Sequence, residues 1–422
     1  MKCEVINVGT ELLLGQSVNT NAREIGLKLA AAGIDCYCQT TVGDNLERIV
    51  IAIRTALTRA DAVILTGGLG STDDDLTRDA VAVALDRPLQ LSPALERLIR
   101  AKLHKFEPTA TDKTMRQALL PAGAIAIKPT LGTAAGFVVE HNGSLIAATP
   151  GVPAEMSRML DADIIPRLRV SSGGGDVILS RVLKVYGLGE IEVESRIQDI
   201  IDAQTNPTIA PLILRGAVAV RLTAKAPDVG SAQSMIANIE KKLRERLGDS
   251  VFGSDASEME GEVGALLRSQ RLSLATAESV TGGMIGDRIT NVAGSSAYFV
   301  GGIVAYDNEI KQRLLNVSPQ TLLSHGAVSA PTAEEMAIGA RAALGTDLAI
   351  AVTGIAGPGG GSADKPVGLV FFALAAADSI VCAKKTFHGS RNDIRFKTSQ
   401  YALNMLRLYL LERERRCAGA SA

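Results

Sequence analysis

Four short stretches carry side chains that could act together on a carbonyl group. In LATAESVTGG, residues 274–283, an apolar run ends in Glu278 and Ser279 and continues through Thr281, Gly282 and Gly283. A serine hydroxyl becomes a nucleophile only beside a base. The histidines of this half, His325 and His388, have no evident acidic orienter, so a histidine-based triad is disfavoured. YDNEIKQRLL offers Lys311, five residues after Tyr306. A lysine taken out of water loses part of its preference for the charged form and can accept the serine proton. The plainer alternatives are that Ser279 caps the helix over TGGMIGDRIT and that Lys311 is a surface helix lysine. AVTGIAGPGGGSADKPVG runs from Thr353 into a loop with Gly354 and Gly357, loose enough to approach a ligand closely. FHGSRNDIR sets Arg391 and Arg395 four apart at a predicted helix start, where cations are unfavourable unless an anion joins them.

A second set lies in the first 160 residues. GTELLLGQSVNTNA follows the first predicted strand and offers Gly9, Thr10 and Glu11, with Asn19 as a helix cap. LTGGLGSTDDDLTRD joins Gly67, Gly68, Gly70 and Thr72 to Asp73, Asp74 and Asp75. The glycines predict an N–H-lined nest for a phosphate, and the acids suit a bridging divalent cation or an activated water. KPTLGTAAG and TPGVPAEM predict further walls of the same cleft. The pattern is neither a Walker motif nor a GxGxxG fingerprint.

The elements that must position these groups alternate. KCEVINVG, IDCYCQTTVG and DAVILTGG read as strands with helices between them, the rhythm of a mostly parallel sheet, and His141-Asn142-Gly143 marks a hairpin. Residues 1–168 are predicted as one α/β domain, 176–250 as a small α+β middle domain and 255–416 as a second α/β domain. PTAEEMAIGARAAL places Thr332 and Glu335 at capping-box spacing. The 422 residues suit such a division. With 44 basic and 45 acidic residues the net charge is −1, which gives no general attraction to nucleic acid or an anionic membrane. Cys36 and Cys38 read as reduced packing residues and the four histidines lack zinc spacing. Without a signal peptide or a run of about 20 apolar residues, the sequence predicts a soluble cytoplasmic protein.

GTELLLGQ, VGD, GGLGSTDDDLT, LGTAAG and PGVPAEM resemble the molybdopterin-binding-like domain of the competence- and damage-inducible protein A family. That resemblance implies a ligand loop at Gly67, Gly68, Leu69, Gly70, Thr72, Asp74 and Asp75, with metal-dependent ADP-ribose pyrophosphatase activity and a divalent metal ion at Asp74 and Asp75. Ser71 stands where family members usually have proline, and Thr130 where they usually have asparagine. TAESVTGG, GGIVAYDNEIK, SHGAVS, VTGIAGPGGGSADKPVG and FHGSR resemble the family's nicotinamide-nucleotide amidase domain, over about residues 257 to 415. This second resemblance implies deamidation of nicotinamide mononucleotide, in pyridine nucleotide recycling and without a cofactor. Ser279 is then the nucleophile and Lys311 or Tyr306 the proton acceptor. Thr353 positions the reacting groups. Thr281, Gly282, Gly283, Gly354 and Gly357 meet the substrate, and Arg391 or Arg395 holds its phosphate. N–H groups at the following helix start are expected to stabilise the oxyanion. Val280 replaces the cysteine of many relatives, leaving Ser279 the only nucleophile of the motif. The expected fold is two three-layer α/β domains with mostly parallel sheets around the middle domain, in a homodimer. The rival readings are a protein that is chiefly a pyrophosphatase and a non-catalytic nucleotide- or DNA-associated module.

Overall fold

The computed structural model of the chain describes residues 1–106, 112–172 and 176–420. Its contacts divide into two compact units, Met1–Ser180 with Thr223–Asn238 and Arg181–Leu222 with Ile239–Ala422.

The N-terminal α/β segment runs β1 (Lys2–Val8), α1 (Thr10–Leu13), α2 (Thr20–Ala31), β2 (Asp35–Val42), α3 (Leu46–Leu57), β3 (Ala62–Thr66), α4 (Thr77–Ala84), β4 (Leu89–Leu91), α5 (Pro93–Phe106), α6 (Asp112–Met115), β5 (Leu119–Pro121), β6 (Ile125–Ile127), β7 (Gly136–His141), β8 (Ser144–Thr149), α7 (Pro153–Met159) and α8 (Ile165–Ser171). Its main sheet has the order β2-β1-β3-β8-β7-β6. Alternate residues of one strand serve opposite faces. Ile6 and Val8 pack with Ile49 and Ile53 of α3, whereas Cys3 and Val5 pack with Ile25 and Leu29 of α2. Helices therefore cover both faces, and β3 is buried along its whole length. Asn19 and Asn45 each accept a backbone N–H at the start of α2 and α3, from Ala22 and Arg48.

The small segment runs β9 (Val177–Val185), α9 (Glu190–Asp202), β10 (Thr208–Leu214), β11 (Ala217–Ala226), α10 (Val229–Leu247) and β12 (Val251–Ser254). Its sheet order, β10-β11-β9-β12, is that of a β-α-β-β-α-β ferredoxin-like unit.

The C-terminal segment comprises α11 (Met259–Gln270), β13 (Leu274–Glu278), α12 (Met284–Thr290), β14 (Phe299–Val304), α13 (Asn308–Leu315), α14 (Pro319–His325), α15 (Ala330–Leu344), β15 (Leu348–Gly354), β16 (Leu369–Ala375), β17 (Ile380–Thr386) and α16 (Arg391–Ala420). The sheet order is β14-β13-β15-β16-β17. Small residues face one side, where Ala275, Ala277, Ala349 and Ala351 let α15 pack closely. Larger ones, including Ile350, Val352 and Phe372, face α11, α12 and α16.

Both large sheets are mixed, which corrects the expectation of mostly parallel ones. β1, β2, β3 and β8 run parallel, but β7 is antiparallel to β8 and β6 antiparallel to β7. β13, β14 and β15 run parallel, whereas β16 is antiparallel to β15 and β17 antiparallel to β16. The connections decide this. A parallel return needs a crossover of roughly a dozen residues, usually a helix. Asn142 and Gly143 instead close a tight turn, with φ of 49° and 84°. No helix separates β15 from β16, and only four residues separate β16 from β17. The capping box expected at Thr332 and Glu335 is also displaced. Ser329 caps α15 through the Thr332 N–H, while Glu335 accepts from Ser318 N and Thr321 Oγ1. Among the described residues no helix is long and apolar enough to cross a membrane.

Candidate active site

Strand register brings the C-terminal candidates together. Glu278 pairs with Val304 on one side and Val352 on the other. The next residues, Ser279, Ala305 and Thr353, therefore leave three adjacent parallel strands at one level, with Tyr306 one step further. The helix after β13 covers one face of the sheet and the helices after β14 cover the other. This is a topological switch, where α/β sheets open a crevice at the carboxyl ends of their strands.

The crevice is a cavity of about 220 Å³ lined by Ser279, Val280, Tyr306, Lys311, Thr353, Gly354 and Arg391, among others. Ser279 is 8% exposed. Its backbone is held on both sides, N–H to the Val352 carbonyl and C=O by the Gly282 N–H. Its hydroxyl makes no hydrogen bond among the described residues. Lys311 is buried, at 1% exposure, and is not the surface lysine of the plainer alternative. Its ammonium donates to the Tyr306 carbonyl at 3.0 Å. Burial pushes its pKa below the ordinary lysine value, against a smaller opposing pull from Asp307. Tyr306 is 62% exposed, and its hydroxyl accepts from Arg391 at 3.0 Å. The Thr353 hydroxyl donates to the Ala327 carbonyl at 2.6 Å and so fixes the 325–329 loop as a wall.

Other expected contacts lie elsewhere. Thr281, Gly282, Gly283, Gly357 and Arg395 do not line the cavity. The Thr281 hydroxyl donates to Glu278, and Arg395 donates twice to the Thr281 carbonyl. Gly357 offers its carbonyl to Arg391. Arg391 thus faces the cavity and Arg395 braces the turn behind it.

The plainer alternative for Ser279 fails at this place. Ser279 does not cap α12. The N-cap is Gly283, at φ 95° and without a side-chain bond. The N–H groups of Ile285 and Gly286, in the first turn of the helix, donate to the Glu278 carboxylate at 2.9 and 2.8 Å. A carboxylate of the motif itself therefore takes those two donors. Asn308 and the Ala327–Val328 wall line the cavity and were missed as site residues, although each lies inside a quoted motif.

The N-terminal candidates also converge. A cavity of about 480 Å³ opens at the ends of β1, β3 and β8, lined by Gly9, Glu11, Gly67, Gly68, Gly70, Thr72, Asp74 and Asp75. Residues 132–134 and 150–152 supply its other walls, as the two extra glycine loops predicted. Asp44 and Glu155, not singled out by the sequence reading, line it too. Thr10 does not. Its N–H donates to Asp44 at 2.8 Å, and its hydroxyl accepts the Asp44 N–H. Asp73 points to Lys113, which holds its carboxyl below the usual range.

The acids offer the hard oxygen donors a divalent cation takes. Asp75, however, uses one oxygen for Gly70 N and the other for Thr72 N and Oγ1. It closes its own glycine loop and takes two of the loop's N–H groups. Among the described residues no three acidic, histidine or cysteine side chains converge on a point. Behind the loop Arg78 is 1% exposed and donates to the Leu69 carbonyl. Burial lowers its pKa to about 10, against the pull of Asp79 and Asp75.

Comparison with known proteins matches three families in succession. Residues 4–170 match "Probable molybdopterin binding domain", 180–253 "Damage-inducible protein CinA KH domain" and 256–410 "CinA C-terminal domain". The chain is 47% identical over 406 residues to a competence-damage inducible protein of Moorella thermoacetica, covering 96% of this chain and 98% of that one. It is 44% identical over 411 residues to a CinA-like protein of Kosmotoga olearia, covering 97% and 99%. A solved competence/damage inducible protein of Agrobacterium tumefaciens is 41% identical, over 36% of this chain and 96% of that one, with a TM-score of 0.35.

Proposed function

This chain belongs to the CinA family, and on that premise we propose that its C-terminal domain hydrolyses the carboxamide of nicotinamide mononucleotide. The observation that carries the reading is the convergence of Ser279, Lys311, Tyr306, Thr353 and Arg391 on one cavity, with the lysine buried. Lys311, in its neutral form, takes the proton of Ser279 Oγ as that oxygen attacks the amide carbon. The C–N bond breaks, the nitrogen leaves as ammonia carrying the transferred proton, and an ester to Ser279 remains. Water cleaves the ester, with Lys311 again the base, and nicotinate mononucleotide is released. The assay is ammonia release from nicotinamide mononucleotide by the full chain. Absence of release, in a chain shown to be folded, would sink the reading.

Arg391 is assigned to the phosphate. A guanidinium has five donors, of which one serves the Gly357 carbonyl and one the Tyr306 hydroxyl. Arg391→Ala should raise KM for the mononucleotide by roughly tenfold or more, the worth of a charge-assisted hydrogen bond. KM for nicotinamide riboside, which lacks the phosphate, should hardly move. Arg395→Ala should lower kcat instead, because it frees the Thr281 carbonyl. Equal KM effects of Arg391→Ala on both substrates would remove the phosphate assignment.

A second reading concerns the N-terminal cavity, where four glycine-containing loops meet. We propose that it binds a nucleotide diphosphate such as ADP-ribose. Calorimetry with and without magnesium tests this, and no binding in either condition would overturn it. Asp75→Ala opens the loop and should abolish that binding while leaving ammonia release at the parental rate.

A further inference from the structure

Resting on the serine-amidase reading, we infer that Glu278 is a positioning residue for Ser279. Its carboxylate ties the turn after β13 to the start of α12 and so holds the serine hydroxyl toward the cavity.

Glu278 is the last residue of β13 and is 1% exposed. It accepts three hydrogen bonds, from Thr281 Oγ1 at 2.7 Å, Ile285 N at 2.9 Å and Gly286 N at 2.8 Å. Among the described residues no lysine, arginine or histidine forms an ion pair with it. A buried carboxylate without a cation is costly, and here helix N–H groups and one hydroxyl must offset that cost. A helix that needed only an end cap would be served more cheaply by serine, threonine or aspartate at the N-cap. Glycine stands there instead, and the carboxylate arrives from five residues earlier, beside the nucleophile.

The turn it closes contains two left-handed residues, Gly282 at φ 62° and Gly283 at φ 95°. Such a turn has little intrinsic preference for one shape. Thr281 is its knot, with the hydroxyl tied to Glu278 and the carbonyl to Arg395. The Ser279 backbone is bonded to Val352 and Gly282, while its side-chain oxygen has no partner among the described residues. Glu278 does not line the cavity and meets no substrate, so its effect passes through the turn.

The test is Glu278→Gln in the full chain. Glutamine keeps the shape but turns an N–H₂ toward donors. The readouts are kcat and KM for ammonia release, the rate at which a fluorophosphonate probe labels Ser279, the pH profile and Tm. Expected are parallel losses of roughly 10²-fold in kcat and labelling, the effect of a misplaced reacting group. KM should stay within about twofold and the acid limb of the profile should not shift, since ground-state binding and Lys311 are untouched. Thr281→Val removes a single bond and should give a smaller loss of the same kind, which guards against misfolding of the glutamine variant. Parental labelling in Glu278→Gln overturns the inference. So does a loss that follows the folded fraction alone, with Thr281→Val unaffected. A parental chain that labels at Ser279 but releases no ammonia overturns the amidase reading, while the labelling rates still decide the role of Glu278.

Discussion

Ser279→Ala should lose ammonia release by roughly 10⁴-fold or more, the scale on which removal of a serine nucleophile acts, with Tm close to the parental value. Both halves follow from its surroundings. The hydroxyl has no partner among the described residues and caps no helix, so its removal leaves no orphaned group and only a small gap in the wall of a cavity. Glu278, not Ser279, satisfies the helix start. The chemistry has no substitute, because Val280 follows the serine and Thr281 is committed to Glu278. Measured together, ammonia release and Tm separate the two roles a serine at this place can have. Normal turnover in the variant would end the nucleophile assignment, and a large drop in Tm would restore a structural one.

Lys311→Met should cut kcat by roughly 10²-fold or more, the usual worth of a general base, and should also raise Tm at neutral pH. The base must be neutral, and burial lowers its pKa below the ordinary lysine value. Parental turnover should therefore climb with pH along an acid limb lying below the normal lysine range, and that limb should vanish in the variant. The sign of the stability effect follows from the same shift. Between the folded and the unfolded pKa the unfolded chain binds more protons, so stability rises with pH across that window and is lost as pH falls through the folded value. Below its folded pKa Lys311 is a buried cation with one carbonyl partner, and above it the folding chain must give up a proton that the unfolded chain keeps. Methionine fills similar space without that cost. A variant that keeps kcat and its pH profile would move the base to Tyr306, and one that loses Tm would mean that the Tyr306 carbonyl bond outweighs the desolvation.

The two large segments reach their cavities by the same route. In each, a central strand is joined to a parallel neighbour on one side and then to another on the opposite side, giving the orders β2-β1-β3 and β14-β13-β15. Connecting helices pass to opposite faces, and the crevice opens where the direction reverses. Periodicity and glycine placement were enough to expect the strand ends as sites. Beyond the Asn-Gly hairpin they were not enough to expect the antiparallel pairs, since a buried strand has the same apolar look whichever way its neighbour runs. The tight turn after β7, the helix-free connection after β15 and the four-residue one after β16 go with the reversed direction.

The phosphate nest expected in one glycine-rich turn and the oxyanion donors expected after the other show what one dimension leaves open. In each an acid of the motif itself takes two N–H groups, Asp75 those of Gly70 and Thr72 and Glu278 those of Ile285 and Gly286. Residue types announce that donors and carboxylates are close in the chain. Whether the carboxylate folds back onto them depends on a few backbone torsions, such as those of Gly282 and Gly283.

The sequence by itself determined the domain order, the βα alternation, the Asn-Gly hairpin and which reactive side-chain types stand at the strand ends, because these depend on local propensity and on spacing of three or four residues. Tertiary structure decided the rest. Register set Ser279 beside Thr353, 74 positions apart in sequence. Packing of α13 buried Lys311, and helix geometry turned Arg391 into the cavity while Arg395 braced the turn. These are long-range outcomes. Burial, desolvation and the choice between two arginines one helical turn apart arise only when distant elements meet, and no local pattern encodes them.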